Sequence, residues 1–220
     1  MQANIQLKKI LVLFSIFATA LCNFGYSQNL KEDPALDAKV KAFLSDNRNS
    51  WRDLNVPTTD GQLLFDIITK NGYKNAVEIG TSTGHSGIWI AWALSKTGGK
   101  LITMEIDEDR YKEAIANFKE AGVLEYIDAR LCDAHEMTQQ LDGPIDFVFS
   151  DADKEWYTNY FKTLAPKLIV GGSFVAHNIT QTRRQRGITE YVNYIEAQPN
   201  FETTYNNDGG GVSISKKIRE

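Results

Sequence analysis

Four acidic residues, Glu78, Glu105, Asp133 and Asp151, each close a short apolar run, and Lys154 follows the last of them. Carboxylates at the ends of successive strands share one edge of an open sheet, the edge where α/β proteins bind ligands. The first acid stands in Val77-Glu78-Ile79-Gly80-Thr81-Ser82-Thr83-Gly84-His85-Ser86-Gly87, which reads as a strand, a glycine-containing turn and a helix start. Glycine lets the backbone turn sharply there and approach a ligand with no Cβ in the way. The spacing is Gly-x3-Gly-x2-Gly, not the Gly-x-Gly-x-x-Gly of dinucleotide sites, which disfavours a nicotinamide-dependent oxidoreductase. At the second strand end Glu105 can accept two hydrogen bonds from a ribose diol, and Asp133-Ala134 stands where an adenine would lie. Each feature alone has a plain alternative: a tight turn without a ligand, a solvated strand-end acid, a surface Asp–Lys pair. Their succession at three and then four strand ends is what points to a site.

The elements that must position these residues alternate. Ala76–Ile79, Lys100–Ile106, Tyr126–Cys132, Ile145–Ser150 and Leu168–Ala176 are strand-like, and His85–Lys96, Glu108–Ala121, Ala134–Leu141 and Lys154–Leu164 are helix-like. In the second of these helices Tyr111, Ala114, Ile115, Phe118 and Ala121 form an apolar stripe, and Gly122 stops it. Helices are also expected over Pro34–Asn47, Thr59–Lys70 and Gly187–Ala197. Two final strands, Phe201–Tyr205 and Val212–Lys217, flank the turn Asn206 to Gly211 with no helix between them, so one runs antiparallel. The expectation is an α/β, Rossmann-like, doubly wound sheet of seven mostly parallel strands with helices on both faces.

Residues 1–27 read differently. Lys8-Lys9, the apolar run Ile10–Leu21 and the small-residue exit Gly25-Tyr26-Ser27 have the pattern of a secretory signal peptide. The run is shorter than the roughly 20 residues a bilayer span requires. The expectation is a domain over 28–220, exported to the periplasm or medium, with an uncleaved membrane anchor and lipidation at Cys22 as alternatives. Cleavage would take the chain from 220 residues to 193 and from a net charge of −4 to −6, which disfavours nucleic acid as a partner. Cys132 would then be alone, excluding a disulfide framework and a multi-cysteine zinc site.

The chain resembles the class I S-adenosylmethionine-dependent methyltransferases, in particular the caffeoyl-CoA and catechol O-methyltransferase-like group. The resemblance runs from about Asn55 to Lys217. It is carried by Gly61-Gln62, the Glu-Ile-Gly-x3-Gly-His-Ser loop, Glu105-Ile106-Asp107, Asp133-Ala134, Asp151-Ala152-Asp153-Lys154 and Gly171-Gly172. It implies that Glu78, Gly80, Thr81 and Ser86 hold the methionine end of the cofactor, Glu105 the ribose, and Asp133 and Ala134 the adenine. It further implies that Asp151 and Asp153 lie beside the sulfonium side and that Val56 approaches through its backbone. A small phenolic acceptor and a homodimer are also implied.

Methyl transfer needs an acceptor oxygen made more anionic, and a phenol has a pKa of about 10. The resemblance assigns Lys154 as general base and Asp151 as a metal ligand. Where the family carries Asp-Asn as further ligands, this chain has His177-Asn178. Three readings stay open. Asp151, His177 and Asn178 bind a divalent metal (Mg, Mn or Zn), with the mixed O/N set suiting Mn, Fe(II) or Zn better than Mg. Alternatively the metal site has lapsed and His177 is a neutral base, or His177 merely caps the strand. Trp156, Tyr157 and Tyr160 either stack on an acceptor or belong to the core, and Arg183-Arg184-Gln185-Arg186 is either an anion contact or a solvated loop. The rival to an enzyme is a non-catalytic domain that binds S-adenosylmethionine or a related nucleoside as a sensor.

Overall fold

The computed structural model describes residues 30–51, 54–179 and 185–220. The leader and Arg183-Arg184 lie outside the described residues. Two helices, α1 (Pro34–Asp46) and α2 (Thr58–Asn71), precede the sheet. Then follow β1 (Asn75–Ile79), α3 (His85–Thr97), β2 (Lys100–Glu105), α4 (Glu108–Ala121), β3 (Ile127–Leu131), α5 (Ala134–Gln140) and β4 (Ile145–Ser150). The chain continues through α6 (Tyr157–Leu164), β5 (Leu168–His177), α7 (Arg186–Glu196), β6 (Phe201–Asn206) and β7 (Val212–Lys217).

The seven strands form one sheet in the order β3-β2-β1-β4-β5-β7-β6. The pairs from β3 through β5 are parallel, and β7 is antiparallel to both its neighbours. The order reverses between β1 and β4, which places a topological switch point beside Gly80 and Asp151. The expected elements all form. The one change of type is at Lys154–Trp156, a 3-10 turn ahead of α6 in place of a helical first turn.

Both faces of the central strands are buried, so alternate residues serve different layers. Val77, Ile79, Val148, Phe174 and Ala176 pack with Tyr157, Phe161, Ile188 and Tyr191 under α6 and α7. Ala76, Phe147, Phe149 and Val175 pack with Leu64, Ile68, Ile90 and Leu94 under α2 and α3. Trp89 and Trp92 join Val40, Phe43 and Phe118 between α1, α3 and α4, as packing residues. Asp107 and Asp133 cap α4 and α5 with side-chain oxygens that accept from backbone amides. Those caps tie the helix starts to the strand ends that carry the acids.

Candidate active site

The carboxyl ends of β3, β2, β1, β4 and β5 surround a cavity of about 720 Å3. In strand order its wall runs through Asp133, Glu105, Gly80, Asp151 and His177. Gly80 has φ +95°, and a Cβ there would stand 3.1 Å from the Ala152 Cβ and from the Asp151 carbonyl oxygen. The β1 and β4 ends therefore approach closely only because this residue is glycine.

Glu105 is held in place by its own turn. Oε1 accepts from the amides of Ile106 and Asp107, each at 3.0 Å, and Oε2 accepts from the Ser82 amide at 2.7 Å. Oε1 has both lone pairs engaged, and Oε2 keeps one acceptor site. Beyond it, the His135 ring stacks on Trp156 with centroids 3.8 Å apart, and His135 Nε2 is 3.2 Å from Asp153 Oδ2. Tyr160 completes that end of the wall, while Tyr157 is buried with its hydroxyl donating to the His177 carbonyl at 3.2 Å. Of the three expected aromatics, then, Tyr160 alone lines the cavity, at the end with Asp133, and Tyr157 belongs to the core.

At the opposite end a chain of charged groups spans four segments. Lys154 Nζ donates to Asp151 Oδ1 at 2.9 Å. Asp151 Oδ2 lies 3.2 Å from His177 Nδ1, within ion-pair range but outside hydrogen-bond alignment. His177 Nε2 donates at 2.7 Å to Oδ2 of Asp60, on α2, which also accepts from the Gly210 amide at 2.8 Å. His177 and Asp60 are 3% and 1% exposed. Burial alone lowers the histidine pKa, but the Asp151 and Asp60 carboxylates outweigh it and raise it to about 9. Two carboxylates thus flank His177, and both favour its protonated form.

A profile of O-methyltransferases matches residues 28–183. The chain belongs to this O-methyltransferase family. Relatives include caffeoyl-CoA O-methyltransferase 1 of Eucalyptus globulus, 35% identical over 130 residues, which are 57% of this chain and 52% of the relative. The caffeoyl-CoA O-methyltransferase of Pinus taeda is 32% identical over 155 residues, 68% of this chain and 56% of the relative. The chain thus matches about half the length of these relatives. Among solved structures, an O-methyltransferase from Bacillus cereus in complex with SAH has a TM-score of 0.69 at 25% identity, covering 85% of this chain and 92% of that one. The O-methyltransferase TomG from Streptomyces achromogenes, in complex with SAM, has a TM-score of 0.70 at 24% identity, covering 86% and 92%.

In this O-methyltransferase family member the predicted cofactor residues divide into two layers. Gly80, Glu105, Asp133, Ala134, Asp151 and Asp153 are on the cavity wall. Val56, Glu78, Thr81 and Ser86 stand behind it, hydrogen-bonded to neighbouring residues. The Val56 carbonyl accepts from His85 Nδ1 at 2.8 Å, and the Thr81 hydroxyl pairs with that of Thr103 at 2.6 Å. Glu78 accepts from Thr103 at 2.6 Å and bonds the Ser86 side chain, so it braces the start of α3. Its Oε1 is buried with no partner, and burial pushes its carboxyl up to about 7 despite those two hydrogen bonds. The wall also includes Asn55, Ser82, Arg110 and His135, which sequence reading did not single out.

Asp151, His177 and Asn178 line one end of the cavity together, with Asp151 Oδ2 and His177 Nδ1 3.2 Å apart. His177 Nε2 is engaged by Asp60, while Nδ1, beside Asp151 Oδ2, is buried without a hydrogen-bond partner and is the ring atom that could take an ion. Among the described residues no group of three or more His, Cys, Asp or Glu side chains is arranged to hold a metal. For an adenosine-bearing group the fit is good: a glycine-floored cradle at Gly80, a braced carboxylate at Glu105 and a cavity of ligand size.

Proposed function

We propose that the chain is an S-adenosylmethionine-dependent O-methyltransferase acting on the hydroxyl of a small phenolic acceptor. The observation that carries this is the single cavity joining Gly80, Glu105 and Asp133 to Asp151 and Lys154. One end suits an adenosine, and the other suits a group that must lose a proton. The bound SAH and SAM of the two structural neighbours and the caffeoyl acceptor in the relatives' names support it.

S-adenosylmethionine, when bound, supplies an electrophilic methyl group on a sulfonium sulfur. Glu105 holds the ribose hydroxyls, and Gly80 lets the chain turn close beneath the ligand. Orientation of this kind is worth roughly 7–11 kcal/mol in favourable cases. Lys154 takes the acceptor's hydroxyl proton, and Asp151 pairs with the resulting ammonium. The acceptor oxygen gains the methyl group as the carbon–sulfur bond breaks and a thioether is left.

The test is transfer of radiolabelled methyl from S-adenosylmethionine to a panel of catechols and hydroxycinnamates. Labelled products lost in Lys154→Met are expected. Cofactor binding with no transfer to any acceptor would leave the sensor reading in its place. The same proposal includes export directed by residues 1–27, checked by N-terminal sequencing of the protein from its source, and a homodimer, checked by sedimentation.

A further inference from the structure

The carboxylates of Asp133, after β3, and Asp153, after β4, both stand on the cavity wall, although β2 and β1 separate those strands in the sheet. One residue, His135 in the first turn of α5, joins them. Its backbone amide donates to Asp133 Oδ1 at 2.8 Å, and its ring Nε2 lies 3.2 Å from Asp153 Oδ2. A carboxylate only accepts, so Nε2 is a ring nitrogen that carries a proton. The ring is itself fixed. Trp156 stacks on it with centroids 3.8 Å apart and planes 19° from parallel, and the Tyr160 ring stands 5.8 Å away. Asp153, by contrast, has a side chain that is 42% exposed. Its Oδ1 accepts from the Glu155 amide at 3.1 Å and its Oδ2 faces His135, so each oxygen keeps a further acceptor site.

Ala134 and Tyr160 line the same end of the cavity, so apolar surface and carboxylate acceptors meet there. An aminopurine has the matching chemistry: flat apolar faces and a donor amine on its edge. From this geometry we infer that His135 is a positioning residue for base recognition, holding Asp153 to accept from the 6-amino group of the cofactor's adenine. The inference rests on the methyltransferase reading, which makes the adenosine of S-adenosylmethionine the occupant. Without the imidazole, a half-exposed carboxylate on a turn is free to face water. A 6-oxo purine carries a carbonyl oxygen where adenine carries the amine, and a fixed carboxylate offers that oxygen no donor. Asp153 held by His135 therefore separates adenine from hypoxanthine, and a mobile Asp153 does not.

Calorimetric binding of SAH and of S-inosylhomocysteine, its 6-oxo counterpart, to the full chain tests this without any turnover. The wild type is expected to bind SAH at least about 30-fold more tightly, the discrimination of a site built around an N–H donor. In His135→Leu the SAH affinity should fall about tenfold or more, while S-inosylhomocysteine changes by less than about threefold. His135→Gln, which returns an N–H donor to Asp153, should recover a ratio of about tenfold or better. Asp153→Asn, whose amide either donates or accepts, should bring the ratio below about threefold with His135 intact. A merely structural role would weaken both ligands alike. That result in folded His135→Leu, a Gln variant no more selective than the Leu one, or an unchanged ratio in Asp153→Asn would each overturn the inference. So would a wild type that binds the two ligands equally. Binding of neither would remove the adenosine site and the inference with it. Selective SAH binding without methyl transfer to any acceptor would count against the enzyme reading alone.

Discussion

Asp60 Oδ2 and His177 Nε2 are 2.7 Å apart across 117 positions of sequence, and the contact joins the helix before the sheet to the end of its fifth strand. It is one of two carboxylate contacts to the His177 ring, the other being Asp151 Oδ2 at 3.2 Å from Nδ1.

Stability should therefore depend on pH through His177. Its folded pKa, about 9, is above the unfolded value of 6.5. A raised histidine pKa stabilises fully below the unfolded value, and that contribution is lost as pH rises through the folded one. Asp60 of α2 and Asp151 after β4 face the ring, with Lys154 on the far side of Asp151. The shift corresponds to about 3 kcal/mol, or roughly 5–10 °C in a domain of this size. The melting temperature of the wild type should fall more steeply between pH 7 and 10 than that of His177→Asn. Parallel curves would remove His177 as the cause.

A second consequence concerns the glycine turn. Gly210→Ala puts a Cβ 2.3 Å from His177 Nε2 and should break the Asp60–His177 contact, costing about 2–4 kcal/mol. Gly171→Ala is the comparison, since φ is +92° there but nothing lies within 4 Å. Backbone strain alone predicts a loss of about 1–2 kcal/mol at that position. Urea denaturation of both variants checks the ranking, and equal losses would mean that the turn is not fitted to the pair.

The fold was legible because buried parallel strands are continuous apolar runs and each site acid stands where such a run ends. Glu105, Asp133 and Asp151 could be read in that way, from their neighbours alone. Asp60 could not. It sits beside Gly61-Gln62 in an amphipathic helix, and nothing local distinguishes it from a solvated first-turn acid. Its role arises from a contact with His177 that exists only once β7 has paired with β5. Gly209-Gly210-Gly211 was legible as a turn, but not as the lid over that contact. Val56, Glu78, Thr81 and Ser86 were assigned to the site by the family resemblance. The structure places them one layer back because the side chains of a strand alternate and those of a tight turn fold under it.

Glu105 gives a prediction confined to the cofactor end. Its carboxylate accepts from the amides of Ser82, Ile106 and Asp107 and would bind the ribose hydroxyls as well. Glu105→Gln keeps the shape but loses the charge-assisted part of those bonds, each worth about 1.5–3 kcal/mol. SAH affinity measured by calorimetry should fall about 10- to 100-fold, and Asp60→Asn should leave it within about twofold. A Gln variant that binds like the wild type would take the ribose away from Glu105.

The acceptor end yields the prediction that separates a metal-free from a metal-assisted reaction in turnover. Where a cation chelates the acceptor, removing one of two vicinal hydroxyls removes a ligand, and chelators abolish activity. Here Lys154, paired with Asp151 at 2.9 Å, serves a single oxygen, and His177 closes the other side of Asp151. A phenolic acceptor with one free hydroxyl should be methylated within about tenfold of its catechol counterpart, since one hydrogen bond is worth about 0.5–1.5 kcal/mol. EDTA should not change either rate, and added Mg, Mn or Zn should not raise them. The measurement is initial rates of SAH release for the matched pair of acceptors, with and without chelator. A catechol preference above about a thousandfold, lost on chelation and restored by one ion, would mean that a cation assists the transfer.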